Sequence, residues 1–464
     1  MREHVPLVGP HLVRYGTAAD QKYLLDGFLR TYDELVINAT MVAHMPSALA
    51  SFLVTRAKNK PYFIDPQTHA FQHDVTYLES NSEGRLGEIR RSIQKLIDAY
   101  GEPIATAICQ RRDDRRPVQP ADFADERTIE GFCDRVVRFQ QDAISHEATE
   151  SDAARYYEFL RASGKFAHVQ FGPSLVVAPY FYMTAEALSD WLRINVLLAQ
   201  RCLAGVAKRP VGVQVVVSRS ILTNRRARAT IVAEYAKLRP APAAFLLWID
   251  DFPETGASEA QLRGFAGLVR ELGAHAPVIN LYGGFFSVAL SRCGIRPELA
   301  GVVHGLEYGE SRGVIPVGGG IPVAKYYYPA LHTRLPFRHA VRAVRAAGGM
   351  GTAADFHEKV CGCRECTRVI TSDPSAEFMD YGRTKPVRFI RRGVPTAMEY
   401  PLPETKDHSV RHFMWSKGRE YRATMSIGGV LEQLSEALVL AAVVGSEAAH
   451  CAVWAEVLRR MAGQ

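Results

Sequence analysis

The chain reads as an α/β protein, more narrowly as a (β/α)8 TIM barrel followed by a C-terminal metal-binding segment and helices. Three observations predict this. Eight runs rich in β-branched and aromatic residues recur before residue 330. From the third onward they alternate with segments of helical periodicity, the mark of parallel β/α architecture. Three cysteines then fall within six residues, just after the composition shifts at Gly348-Gly-Met-Gly-Thr.

The expected strands are 34–43, 61–65, 174–183, 211–218, 244–251, 277–283, 301–307 and 323–328. Eight such runs favour a closed barrel over an open sheet. The expected helices between them are 185–207, 225–238, 258–272, 285–293 and 338–347, most of which begin after Thr, Ser, Asn or Gly and close near Gly. A longer helical insertion, 86–165, separates the second and third strands, and its cluster Gln110-Arg-Arg-Asp-Asp-Arg-Arg116 reads as a solvated loop. The barrel is therefore assigned to 1–347 and the metal-binding segment to 348–464.

At 464 residues, 47% hydrophobic and 23% charged, the chain has ample apolar content for a globular core and is neither disordered nor fibrous. The N-terminus lacks an apolar signal core, and the apolar run 430–444 is interrupted by Glu432, Gln433 and Glu436. The expectation is a cytoplasmic protein with no membrane span. A formal charge of +7 permits a polyanionic partner without requiring one.

Cys361, Cys363 and Cys366 can converge on one tetrahedral metal ion. Disulfides between such close neighbours are strained. The segment 407–425 reads as a helix capped by Asp407 and carries His408 and His412, four apart and on one face. His412 is taken as the fourth ligand, with His408, His357 and the pair His450 and Cys451 as alternatives. Three Cys and one His leave no open coordination position, so the expected Zn2+ is structural. The other cysteines are scattered and read as buried thiols.

In a barrel, reactive groups gather where the C-terminal ends of the strands converge. Those ends read Phe63-Ile-Asp-Pro-Gln-Thr-His-Ala-Phe-Gln72, Trp248-Ile-Asp-Asp-Phe252, Asn280-Leu-Tyr-Gly-Gly284, His304-Gly-Leu-Glu-Tyr308 and Lys325-Tyr-Tyr-Tyr328. Asp65, Asp250, Asp251 and Glu307 are the candidate carboxylates for chemistry on a glycosidic bond, which needs one acid to attack or stabilise carbon and another group to manage a proton. Tyr180, Tyr182, Tyr282, Tyr308 and Tyr326 are placed to sandwich a flat heterocycle, with Gln67, Gln72, His304 and Lys325 as polar contacts.

These motifs resemble the tRNA-guanine transglycosylases, zinc-bearing (β/α)8 barrels of the queuine and archaeosine type that exchange guanine in nucleic acid for a 7-deazaguanine. Cys361, Cys363 and Cys366 match the family's C-x-C-x-x-C motif, and a histidine-bearing helix follows. Asp65, Phe71 and Gln72 match its strand-end Asp and following Phe-Gln turn. The resemblance implies that Asp65 handles protons and contacts the base, while Glu307 or Asp251 is the nucleophile that forms a covalent glycosyl-enzyme intermediate. The family's nucleophile lies on the last barrel strand, where 323–328 carries no carboxylate. Glu307 takes that place only if the barrel register shifts by one strand. The DNA-modifying branch, which inserts a 7-deazaguanine precursor into DNA, is the closer analogy because it also departs from the tRNA enzymes.

The implied partners are DNA or tRNA and a 7-deazaguanine base, with a homodimer or partner subunits as a further expectation. Arg364, Arg368, Arg383, Lys385, Arg388, Arg391, Arg392, Arg411, Lys417, Arg419 and Arg422, interleaved with Tyr381, Phe389 and Trp415, offer a phosphate-contacting surface. The competing readings are a barrel hydrolase or lyase acting on a small molecule, and a catalytically degenerate barrel that only binds nucleic acid.

Overall fold

The computed structural model describes residues 9–25, 28–57, 60–80, 85–108, 111–150, 162, 172–206, 209–294, 299–306, 310–315, 323–391, 394–424 and 426–463. Eight strands close into a parallel barrel: β1 (His11–Tyr15), β2 (Glu34–Asn38), β3 (Tyr62–Asp65), β4 (Val176–Val177), β5 (Val211–Val217), β6 (Ala244–Ile249), β7 (Val278–Asn280) and β8 (Gly301–Gly305). Closure comes from β1 against β8, in the register His11↔Val302 through Arg14↔Gly305.

The expected (β/α)8 barrel is therefore present, but two of its strands were misassigned. The first is β1, where His11 and Arg14 interrupt a short apolar run and hide its strand character. The expected last strand, 323–328, lies outside the barrel. Its core Lys325–Tyr328 (β9) instead pairs antiparallel with Thr333–Pro336 (β10), because β8 has already satisfied the edge of β1. The eighth barrel strand is thus Gly301–Gly305.

Alternation along the strands produces two cores. Leu12, Val36, Phe63, Val177, Val216, Leu246, Ile279 and Val303 fill the barrel interior. Val13, Leu35, Ile37, Ile64, Val176, Val213 and Val302 face the surrounding helices. Full burial of each such side chain contributes about 1.5–3 kcal/mol.

The interleaved helices run Leu188–Arg201, Arg225–Tyr235, Glu259–Gly273 and Phe285–Arg292, with Phe337–Ala346 after the ribbon. Within the insertion, helix Glu126–Glu150 supports the two-residue strand β4. There the Gln140 side-chain amide accepts from Val177 N and donates to Val177 O, both at 2.8 Å. The charged cluster of the insertion is tied up in local ion pairs, Arg112 and Arg115 with Glu79 and Arg116 with Asp122, as a solvated loop would have them.

Past the barrel, the chain forms helix Arg364–Val369, an antiparallel ribbon Thr384–Arg391 (β11) with Val394–Pro401 (β12), and helices Pro403–Ala423, Ile427–Val444 and Ala449–Ala462. Helix Pro403–Ala423 begins one turn before the expected cap. Pro403 occupies its first turn, and Asp407 instead accepts from the Tyr23 hydroxyl at 2.5 Å and pairs with Lys22, fastening the helix to the barrel. Among the described residues, no helix is long and apolar enough to cross a membrane.

Candidate active site and metal centre

Asp65 ends β3 inside the C-terminal mouth and is almost fully buried. Its Oδ2 accepts from Arg14 Nη1 at 2.9 Å, and its Oδ1 accepts from the Tyr180 hydroxyl at 2.6 Å and from Gln67 N at 3.1 Å. Burial alone raises a carboxyl's pKa. Here Arg14 and the Tyr180 hydroxyl outweigh it, so Asp65 is held below the ordinary carboxylate range and is ionised. Burial drives His69 down to about 3, leaving it neutral against Tyr180. The Tyr180 hydroxyl lies 3.0 Å from His69 Nδ1, forming a chain from His69 through Tyr180 to Asp65.

A cavity of about 400 Å³ is lined by this carboxylate's partners Arg14 and Gln67, with Asp65 itself just behind the lining. Its lining mixes polar side chains, among them Arg14, Asn38, Gln67, Tyr282 and Arg312, with apolar ones, among them Met41, Phe71, Ile93 and Leu96. Gln67 adopts a left-handed conformation at φ 54°, and its Oε1 accepts from the Thr40 hydroxyl at 2.9 Å. Tyr282 packs beneath the Arg14 guanidinium, 4.6 Å from ring centre to carbon, and its ring meets Trp248 at 4.9 Å.

Of the expected site residues, Asp65, Gln67, Tyr180 and Tyr282 meet at this mouth. Asp250 lies further out, accepting from the Tyr182 hydroxyl at 2.8 Å and from Val314 N at 2.9 Å. Asp251 is exposed in a left-handed turn, away from the cavity lining. The expected substrate contact Gln72 is spent on the backbone, donating to Tyr182 O at 3.0 Å and accepting from Tyr182 N. His304 neighbours the inward-facing Val303 and therefore points outward, where its Nε2 meets the Tyr421 hydroxyl at 2.9 Å. Lys325 opens β9 outside the barrel, and Tyr326 packs in the metal centre. Glu307 and Tyr308 lie outside the described residues, as do the side chains of Phe389, Arg391 and Arg392.

Sequence reasoning missed Arg14, Asn38, Trp248 and Arg312 at the mouth. Asn38 Oδ1 accepts from Arg14 Nη1 at 2.6 Å, and Trp248 Nε1 donates to Arg312 O at 3.0 Å. A charged side chain inside an otherwise apolar run was the signal available for Arg14.

The second centre is the buried cluster Cys361, Cys363, Cys366 and His412, whose ligand atoms all lie within 4.8 Å of one another and can hold a metal ion. His412 Nδ1 is 3.3 Å from both Cys363 Sγ and Cys366 Sγ and 3.9 Å from Cys361 Sγ. The ring is fixed from behind: Nε2 meets Tyr327 O at 2.6 Å and Tyr326 stacks at 4.2 Å. The carbonyl fixes the tautomer that leaves Nδ1 free to ligate. His408 is excluded by its own bonds, Nδ1 lying 2.8 Å from Glu365 Oε1. His357 instead sits 2.9 Å from Ile370 O, and His450 2.8 Å from Leu331 O.

Helix Pro403–Ala423 also carries a buried ion network toward the barrel. Lys417 Nζ lies 2.7 Å from both Glu310 and Glu420, and Glu420 accepts from the Tyr327 hydroxyl and meets His332 Nδ1, both at 2.6 Å. Burial works against the Glu420 carboxylate, but Lys417 and His332 pull it down to about 2. Its contribution to stability is therefore complete above the ordinary value of 4.5 and is lost as the pH falls toward 2. Lys417→Met is expected to destabilise the fold by about 3–5 kcal/mol, because the buried Glu420 and the half-buried Glu310 lose their counter-charge. Urea unfolding at neutral pH measures the loss, and an unchanged midpoint would show the network to be energetically idle.

Compared with known proteins, the sequence matches no protein-family model and no curated protein.

Proposed function

We propose that this chain is a base-exchange transglycosylase of the tRNA-guanine transglycosylase type. It would act on guanine in nucleic acid, DNA or tRNA, and insert a 7-deazaguanine through a covalent glycosyl-enzyme intermediate. The observation that carries the reading is Asp65: a buried, ionised carboxylate at the end of a barrel strand, bonded to Arg14 and Gln67, which line a cavity of mixed polar and apolar character. Two further observations support it. The register of the closed barrel makes Gly301–Gly305 the eighth strand, so Glu307 follows the last strand by two residues, the shift that the resemblance required. The metal cluster is fastened to the barrel's exit by β9.

The metal is read as structural zinc. Zinc bonded to sulfur at about 2.3 Å and nitrogen at about 2.0 Å sets ligand edges near 3.5 Å, close to the separations in this cluster. Cys361, Cys363, Cys366 and His412 would hold it and leave no open position for chemistry. Its contribution is to lock β9 against helix Pro403–Ala423.

In the reaction, a carboxylate oxygen of Glu307 bonds to C1′ of the target nucleotide as the C1′–N9 bond breaks, and guanine leaves with the electron pair. The incoming base then attacks C1′ through its ring nitrogen and releases the Glu307 carboxylate. Asp65, already ionised, takes the proton from that nitrogen and returns it to solvent, from which the departed guanine anion takes a proton at N9. A target base within a duplex must be flipped out to reach the mouth, at a cost of a few kcal/mol.

The test is trapping. Protein incubated with labelled DNA or tRNA and a 7-deazaguanine base, then denatured, should carry a covalent nucleic-acid adduct that Glu307→Gln abolishes. Absence of adduct with both polymers would turn the reading toward a small-molecule enzyme.

A further inference from the structure

Arg14 is a buried cation whose donors are only partly used. It is 4% exposed, and its Nη1 is committed to Asn38 and Asp65. Among the described residues, its Nε and Nη2 find no acceptor. Leaving guanidinium donors unpaired inside a protein is costly, and such a group needs an acceptor from elsewhere. Arg14 lines the mouth cavity, where Tyr282 covers one face of the guanidinium.

We infer that Arg14 is a specificity-determining residue that selects the base by its C6 oxygen; this rests on the base-exchange reading. The Nε–H and the neighbouring Nη2–H project in parallel from one edge of the guanidinium plane, a fork that takes two acceptors side by side. The C6 oxygen and N7 of an oxo-purine offer that pair. An amino group at C6 would instead point a donor at a donor. Phosphate also satisfies such a fork, but a cavity lining that includes Met41, Phe71, Ile93 and Leu96 suits a flat ring better than a hydrated anion. The fork also stabilises the negative charge that the purine ring acquires as it leaves C1′ with the bonding electrons.

Calorimetric titration of the full-length, metal-loaded protein with hypoxanthine, adenine and inorganic phosphate tests this, because the two purines differ in the C6 group that faces the fork. Hypoxanthine is expected to bind at least about tenfold more tightly than adenine, and phosphate is expected not to displace it. Arg14→Lys keeps a positive charge beside Asp65 but removes the fork, and the ratio should fall toward one. Equal affinity for the two purines, or displacement of hypoxanthine by phosphate, overturns the role of Arg14 and leaves base exchange standing. Failure of both purines to bind overturns both. Should Arg14→Lys fail to fold, the wild-type ratio decides alone.

Discussion

Cys363→Ser is expected to lose the bound metal and, with it, more than about 3 kcal/mol of stability. Cys363 has two functions: its sulfur is one of four converging donors, and it caps helix Arg364–Val369 by accepting from Cys366 N at 3.4 Å. Serine can keep the cap but is a poor zinc ligand, so the loss isolates the metal. A structural zinc site supplies ~10–16 kcal/mol of apparent binding energy in isolated peptides. Only part of that should appear here, because the barrel core of Leu12, Val36, Phe63 and their neighbours is built without the metal. The remainder is coupling: His412 is held by Tyr327 O and stacked on Tyr326, so losing the ion loosens β9 as well as the cysteine loop. Metal analysis should give about one zinc per wild-type chain and much less in the variant, with an earlier urea transition. Cys451→Ser, at a buried cysteine outside the cluster, should retain the metal. Full metal retention in Cys363→Ser would end the metal-centre reading.

What could be read in advance divides by how local the determinant is. The cysteines were legible because three ligands lie within six residues, and His412 because one helix face presents it. The parallel strands were legible where apolar runs are continuous, as in Val211–Val217 and Ala244–Ile249. Strand β1 was not, since the two residues that obscure its pattern serve the tertiary structure: Arg14 pairs with Asp65, and His11 stacks on Tyr421 at 4.3 Å. Missing it moved the strand count along by one and drew Lys325–Tyr328 into the barrel, although its tyrosines serve the metal centre and the ion network. Gln72 illustrates the converse error. A polar side chain near a strand end looked available for substrate, yet its amide is taken up by the backbone of Tyr182 from a segment 110 residues away. Asp65 stood out as a strand-end acid, but its ionisation depends on Arg14 and Tyr180 arriving from other strands and loops.

That dependence makes Asp65→Asn the most informative change at the mouth. Asparagine keeps the size and removes the charge. Either orientation of its amide misplaces a donor: with Nδ2 toward Arg14 two donors face each other, and with Nδ2 on the other side it meets the N–H of Gln67. Arg14 also loses its ion partner in a buried site, which costs about 3–5 kcal/mol, so folding must be verified first. The larger effect is on turnover. With Glu307 as nucleophile, cleavage of the original glycosidic bond needs no proton from Asp65, whereas attack by the incoming base does require it to accept one. Asp65→Asn should therefore still form the covalent adduct but release it at least about 10²-fold more slowly, so that adduct accumulates, while Glu307→Gln forms none. A fall in the wild-type rate on acidification should come from other groups, since Asp65 keeps its base form below the ordinary aspartate value of 3.8. Turnover of Asp65→Asn at the wild-type rate would remove Asp65 from the chemistry and leave it only the task of neutralising Arg14.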